Sequence, residues 1–269
     1  MAPVLTQNQI SAPTVEAIKG TLLDAATVSD GIEWATEEAV FDTYNCMSFE
    51  AAAEFCAPSP KTFDQEAGWN DGFRFAAYGG VSCRTVGLDQ DEMLRRVEDV
   101  FRRGESTAVE RAFMENRFRV SDPAGLWPAP TDITPASGPV SAKAGVALLE
   151  GYSGSVYVGA PTIHIPRSTA SLLLGDQIVL ADGSTIRTRL GSKIAAGVGY
   201  DFPNTGPTGA EPAAGEKWLY ATGEVVVRRG PAIVRQVMSH NDNEVQVLAE
   251  RMYIGAADCF AAAVRVTLT

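Results

Sequence analysis

The side chains that most often do chemistry are few in this chain, and their spacing argues against most of it. There are two histidines, His164 and His240. A histidine acts as base, acid or metal ligand when a partner holds it in place. His164 sits in the apolar run Ile163-His164-Ile165, where a hydrogen-bonded structural role is expected, and His240 follows Met238-Ser239 at a turn and reads as solvated. A serine hydrolase carries its nucleophile in a G-x-S-x-G elbow. The run Gly151-Tyr152-Ser153-Gly154-Ser155 departs from that pattern at its last position. A phosphate loop needs G-x4-G-K-[ST], and the stretch 209–217 has Ala214 where the second glycine belongs. Gly197-Val198-Gly199, with Asp201 close behind, is a lone G-x-G outside any βαβ unit, a weak dinucleotide signal.

The four cysteines, Cys46, Cys56, Cys83 and Cys259, form no C-x-x-C pair and have no histidines at zinc spacing. They are expected to be buried free thiols. Cys46, Cys56 and Cys83 lie on or beside the arms of one extended segment, so a disulfide there is geometrically conceivable outside a reducing compartment. The acidic pairs Glu37-Glu38, Asp91-Glu92 and Glu98-Asp99 are sequence neighbours, which point apart on a helix and build no shared site. Arg95, Arg96, Arg102 and Arg103 lie near such acids, and local compensation is the expected use. With no catalytic, metal or cofactor constellation, the reading moves away from enzymes towards structural or assembly roles.

The clearest element that could position anything is a helix over 89–117. Met93, Val97, Val100, Phe101, Ala108, Ala112 and Phe113 lie along one stripe, with Val97, Phe101 and Phe113 as its core. Asp89 or Asp91 can cap it, and Gly104 interrupts it. Before it, 14–28 reads as a short amphipathic helix, and 31–60 and 73–86 read as extended arms around a turn-rich centre, a long β-hairpin. Gly79-Gly80 weakens the second arm or marks a bulge. Five prolines make 121–140 a linker or surface excursion. A short helix over 141–150, a strand over 155–166, a helical turn over 168–174 and short strands to 198 follow. The loop 200–216 precedes three β-runs, 218–229, 243–254 and 260–268. The helix stripe needs an apolar partner, and a sheet of Val245, Val247, Ala249, Met252, Ile254, Phe260, Ala262, Val264 and Val266 is the one on offer.

The chain has 269 residues, 45% of them hydrophobic, enough for a sizeable core in one or two domains. Its net charge of −11 disfavours a tight nucleic-acid binder. No stretch is long and apolar enough for a membrane span, and no basic-then-apolar leader opens the sequence, so neither membrane insertion nor secretion is expected.

The order of elements resembles the major capsid proteins of tailed bacteriophages, the Hong Kong 97-type fold that encapsulin shells also use. Three stretches carry the likeness. Residues 72–86 running into 91–116 look like an extended-loop return strand followed by a spine helix. Gly159-Ala160-Pro161-Thr162-Ile163-His164-Ile165-Pro166-Arg167, with Thr188-Arg189-Leu190-Gly191 and Val198-Gly199-Tyr200, resembles an axial domain. Val225-Val226-Val227-Arg228-Arg229, Leu248-Ala249-Glu250-Arg251 and Ala263-Val264 resemble the closing strands, as in short actinobacterial-phage versions.

The resemblance implies an α+β fold with an N-terminal arm (1–41), an extended β-hairpin loop (42–86), a spine helix with part of a peripheral domain (87–140), an axial domain (141–217) and closing peripheral strands (218–269). It implies a non-enzymatic shell subunit of hexamers and pentamers around non-specifically held double-stranded DNA, with scaffolding, portal or decoration proteins as further partners. Its place would be the virion, and the host cytoplasm during assembly. An encapsulin-like compartment or another virion protein is the alternative. Assembly contacts would fall on Pro58, Pro60, Lys61, Trp69 and Asn70 at the loop tip and on Pro203, Asn204 and Pro207 in the axial loop. A lysine–asparagine crosslink through Lys61 is not expected, since no asparagine or acid partner can be assigned. A hairpin of that length is marginal alone in water and should lie on a neighbouring subunit.

Overall fold

Four helices and fifteen strands occur among the described residues of the computed structural model, which are 15–31, 40–43, 46, 68–84, 90–115, 130–157, 159–239 and 244–268. The first elements are α1 (Leu22–Ala25), β1 (Thr27–Asp30), β2 (Val40–Thr43), β3 (Gly68–Asp71) and β4 (Phe73–Arg84). The long helix α2 (Gln90–Glu115) comes next, then the short strands β5 (Thr131–Asp132) and β6 (Val140–Ser141), and α3 (Ala142–Val156). β7 (Thr162–Pro166), α4 (Arg167–Gly175), β8 (Val179–Asp182), β9 (Thr185–Thr188) and β10 (Lys193–Gly197) lead to a 3-10 turn at Gly199–Asp201. β11 (Glu216–Thr222), β12 (Val225–Arg229), β13 (Ile233–Ser239), β14 (Glu244–Ala257) and β15 (Ala261–Thr267) finish the chain.

The strands form two large sheets and one small one. In the five-stranded sheet the order is β1-β12-β14-β13, and β4 lies along the other edge of β14. The eight-stranded sheet runs β5-β15-β11-β7-β10-β9-β8, with β6 also on β15. Among the described residues β2 and β3 pair only with each other.

Strand alternation sends successive residues to opposite faces, and here that builds two cores. Ala261 and Ala263 of β15 and Trp218 and Tyr220 of β11 join the α2 core, with Met93, Val97, Phe101, Val109, Phe113 and Met114. Ala262, Val264 and Val266, with Leu219 and Ala221, face the second core, beneath Val146 and Leu149 of α3 and Leu173 of α4. The eight-stranded sheet is thus covered on both faces. α2 also packs on the five-stranded sheet through Phe73 and Ala77 of β4 and Val245, Val247 and Ala249 of β14.

Several expectations need correction. The N-terminal helix shrinks to the four residues of α1, closed by Asp24 Oδ2 accepting the Thr21 N–H at 2.9 Å. The β-branched Thr27 and Val28 then pair in parallel with Val226 and Val227. The two arms do not form one long hairpin: the paired base is β2 with β3, while β4 pairs with β14 over twelve residues, from Phe73↔Gly255 to Arg84↔Glu244. That longer ladder also buries Phe73 and Ala77. No bulge occurs at Gly79-Gly80, whose register is continuous. A Cβ at Gly79 would make ordinary van der Waals contact with Phe101 at 3.7 Å, and one at Gly80 would sit 3.2 Å from the Val247 carbonyl. α3 starts where the Ser141 hydroxyl accepts the Ala144 N–H and runs on to Val156, closed by the Tyr157 N–H donating to Ser153 O, so the strand expected over 155–166 begins at Thr162.

The run 218–229 breaks at Gly223, pressed against Asp258, into β11 and β12 of different sheets. The expected single partner sheet of α2 is likewise divided: Phe260, Ala262, Val264 and Val266 belong to the second core. On α2 itself Val100 is 39% exposed, one position off the Met93–Val97–Phe101 row, while Val109 and Met114 are buried instead. Part of the Pro-rich segment is sheet: β5 and β6 pair in parallel with β15 around a turn closed by Gly138 N–H to Pro135 O. β13 was not anticipated, and the boundary expected at 217/218 falls inside β11.

Phe101 is 6% exposed at the centre of this packing, whereas Arg102 lies on the outer face and pairs with Asp99. Phe101→Ala should cost roughly 3–5 kcal/mol of unfolding free energy. Arg102→Ala should cost less than about 1 kcal/mol. Urea unfolding followed by circular dichroism checks both, and the reverse ranking would refute this helix phase.

Candidate functional site

Three backbone segments converge on one buried carboxylate. Glu110, on α2, is 1% exposed. Its Oε1 accepts the Leu22 N–H at 3.2 Å and its Oε2 the Gly199 N–H at 3.0 Å. The N-terminal segment, the long helix and the 3-10 turn are therefore joined by a single side chain. The Gly197-Val198-Gly199 motif finds its use here. A Cβ at Gly197 would fall 2.0 Å from the Glu110 carboxyl carbon, and one at Gly199 would fall 2.4 Å from its Cβ. The motif is a close approach of backbone to a carboxylate, not a dinucleotide loop. Arg167 Nη1 ties the same junction from the far side, donating to Lys19 O at 2.9 Å and Ala196 O at 3.3 Å. Burial pushes the Glu110 carboxyl up to about 7, against the lowering effect of the two N–H donors and of Arg167.

A second buried set adjoins it. His164 Nδ1 is 3.0 Å from the Tyr200 hydroxyl and its Nε2 is 2.9 Å from Thr222 Oγ1. Thr222 donates its own proton to Gly223 O, so it accepts from Nε2–H, and Tyr200 donates to Nδ1. The ring is neutral; burial pushes its pKa down to about 3. It also stacks on Phe113 with centroids 5.5 Å apart. The structural role expected of His164 is what the structure contains. His240 lies outside the described residues.

The 200–216 loop is fastened by Asn204, which is buried. Its Nδ2 donates to the Tyr200 and Trp218 carbonyls, both at 3.0 Å, and its Oδ1 accepts the Trp218 N–H at 2.8 Å. Asn204 therefore serves the interior of its own subunit and is not available at the surface as an assembly contact. Pro203, exposed, follows Phe202 through a cis peptide, and Pro207 is half-buried. Trp69 and Asn70 pair with Asp42 and Phe41 in the β2–β3 ladder, so they lie at the base of the extended loop and not at its tip. Pro58, Pro60 and Lys61 lie outside the described residues, as do Cys56 and the pair Glu37-Glu38. Val97, Phe101 and Phe113 are buried.

Arginines on α2 are compensated locally: Arg95 and Arg96 pair with Glu92, and Arg102 with Asp99. Glu105 instead reaches off the helix to Arg251 and the Tyr253 hydroxyl of β14. The free-thiol expectation fails for two cysteines. Cys46 and Cys259 form a disulfide, and neither partner is Cys83. Among the described residues no three His, Cys, Asp or Glu side chains are grouped to hold a metal, and no helix is long and apolar enough to cross a membrane. Glu110 was missed because a glutamate on an amphipathic helix reads as solvated. The facing glycines were its one visible signal.

Known structures place this architecture in a class. The chain superposes on the capsid of Ralstonia phage GP4 with a TM-score of 0.55 at 9% identity, covering 99% of this chain and 96% of that one. A chain of Microbacterium phage Oxtober96 gives 0.53 at 13% identity, with 99% and 96% covered. The capsid of an empty GTA particle gives 0.52 at 14% identity, with 98% and 95% covered. No protein-family model and no curated sequence matches the chain. The fold is that of phage capsid subunits, the Hong Kong 97-type, along essentially its whole length.

Two predictions follow from the buried groups. Glu110 carries a raised pKa in the folded state, about 7 against an ordinary 4.5, so the fold binds the extra proton between those values. Its contribution is fully present below the lower value and is lost as pH rises through the upper one. The urea midpoint of the wild type measured against that of Glu110→Gln should therefore fall between about pH 5 and about pH 8, the His164 contribution being common to both. His164 acts in the opposite sense, its contribution being lost as pH falls from 6.5 towards 3. Separately, Asn204→Ala removes the acceptor of a buried N–H and should cost roughly 1–3 kcal/mol, read as a lowered thermal midpoint.

Proposed function

We propose that this chain is the major capsid protein of a tailed bacteriophage, assembling into an icosahedral head shell around double-stranded DNA. One observation carries the reading: nearly the entire chain superposes on nearly the entire length of chains from a phage capsid and a GTA-particle capsid. Such subunits work by burying surface against several copies through contacts that close into rings. Its role is structural and not catalytic. The encapsulin alternative draws no support from these neighbours.

In this reading hexamers and pentamers form the shell. The axial domain expected over 141–217 is redrawn as the eight-stranded sheet with α3 and α4, since β11 crosses that bound, and α2 with the five-stranded sheet supplies the peripheral one. The extended loop, now bounded by the β2–β3 ladder because 73–84 belongs to the five-stranded sheet, reaches a neighbouring subunit through Pro58, Pro60 and Lys61. Around the axis the contact falls on Phe202, 64% exposed, with Pro203 and Pro207, while Asn204 shapes the loop from within. The net charge of −11 suits a wall that encloses DNA without gripping it. Scaffolding, portal and decoration proteins are the further partners, and assembly takes place in the host cytoplasm.

Electron microscopy of the expressed chain, alone and with the products of its neighbouring genes, should show closed icosahedral particles. Discrete subunits under every assembly condition would overturn the reading. Deleting 58–66, which spares the β2–β3 ladder, should leave a subunit of unchanged thermal midpoint that closes no shells.

A further inference from the structure

The one covalent cross-link among the described residues joins two places that differ in how firmly they are held. Cys259 lies between β14 and β15, where the chain passes from one sheet to the other. Its N–H donates to Asp258 Oδ1 at 2.9 Å, Asp258 Oδ2 accepts the Tyr157 hydroxyl at 3.2 Å, and the Asp258 N–H donates to Glu224 O at 2.9 Å. This end is anchored in the body of the subunit. Cys46 stands three residues past the end of β2, whose only ladder among the described residues is the four pairs it makes with β3. A two-stranded ribbon of that size is marginal in water, so an added tether changes where it rests. Both cysteines are half-buried and pack against the second core.

We propose that the Cys46–Cys259 bond is a redox latch: it holds the base of the extended loop against the junction of the two sheets in oxidising surroundings and releases it in reducing ones. Closure takes two exchange steps. One protein thiolate attacks a sulfur of a small-molecule disulfide of the glutathione class, forming a mixed disulfide and expelling one thiolate. The other protein thiolate attacks the protein sulfur of that mixed disulfide and expels the second. The two protein thiols give up two electrons and two protons, and the small disulfide leaves as two thiols. A reducing cytosol keeps the latch open while the chain is made, and it closes after release. That timing rests on the shell reading; the latch does not.

The test uses the purified full chain and needs no particle. One sample is equilibrated with oxidised glutathione and another with dithiothreitol. Free thiols are blocked, and the protein is digested with trypsin and an endoproteinase cutting after glutamate. Mass spectrometry of the oxidised sample should find a peptide pair joining Cys46 to Cys259 that disappears on reduction. Amide hydrogen exchange at 40–43 and 68–71 should be several-fold faster in reduced protein, and equally fast in oxidised Cys46→Ser and Cys259→Ser, with α2 and β14 unchanged. No such peptide after oxidation, a bond between other cysteines, or loop-base exchange that ignores the redox state would each sink the proposal. A chain that shows the redox response but never closes shells would count against the capsid function and leave the latch standing.

Discussion

The arrangement of this subunit depends on the saturation of β14. Of its fourteen residues, Glu244–Gly255 pair on one edge with β4, while on the other edge Glu244–Glu250 pair with β13 and Tyr253–Ala257 with β12. A strand paired on both edges cannot shift one neighbour without breaking the other. A one-residue slip would replace Val245, Val247 and Ala249 beneath α2 with Gln246, Leu248 and Glu250. The register of β14 therefore sets the seat of α2. The helix in turn presents Glu110 and Phe113 to the eight-stranded sheet. β14 then passes through Asp258-Cys259 into β15, so the same stretch of chain fixes both sheets.

Glu110 is the costly part of that design. A buried carboxylate loses its hydration, and two backbone N–H groups with a nearby guanidinium offset the loss only in part, which is why its pKa rises. What the arrangement supplies is position. An apolar side chain at 110 would fill the space but leave the Leu22 and Gly199 N–H groups without their acceptor. The carboxylate ties the N-terminal segment to the turn that opens the 200–216 loop. Asn204 then fastens the other end of that loop to β11.

What the sequence made legible was local. The stripe of Met93, Val97, Phe101 and Phe113 marks a helix because its period is that of a helix, and Val225 and Val227 alternate as a half-buried strand must. The order of elements led to the correct fold. Partnership was harder. Period-two alternation in 73–84 marks a strand but does not say that its mate lies near residue 250 instead of residue 40. The Cys46–Cys259 pair spans 213 positions, and nothing in the spacing of four cysteines selects it. β13 escaped notice because Arg235, Gln236, Val237 and Met238 are all exposed, leaving no apolar alternation to read. At the site, Asn204 resembled a surface turn residue among prolines, and only the fold reveals that its amide faces inward.

β15 carries alanine at 261, 262 and 263 in succession, flanked by a helix-bearing core on each side. On one side α3 comes so near that a methyl group at Gly145 would stand 2.4 Å from Val266 Cγ1. On the other, Ala261 and Ala263 lie in the core that α2 seals. These small side chains act as shims, and with Gly145 they set the spacing of three layers. A larger residue at 262 would lift α3, and one at 261 or 263 would lift α2. The gauge of any wall built from this chain is thus set by a few of its smallest side chains, far from the surfaces where copies would meet.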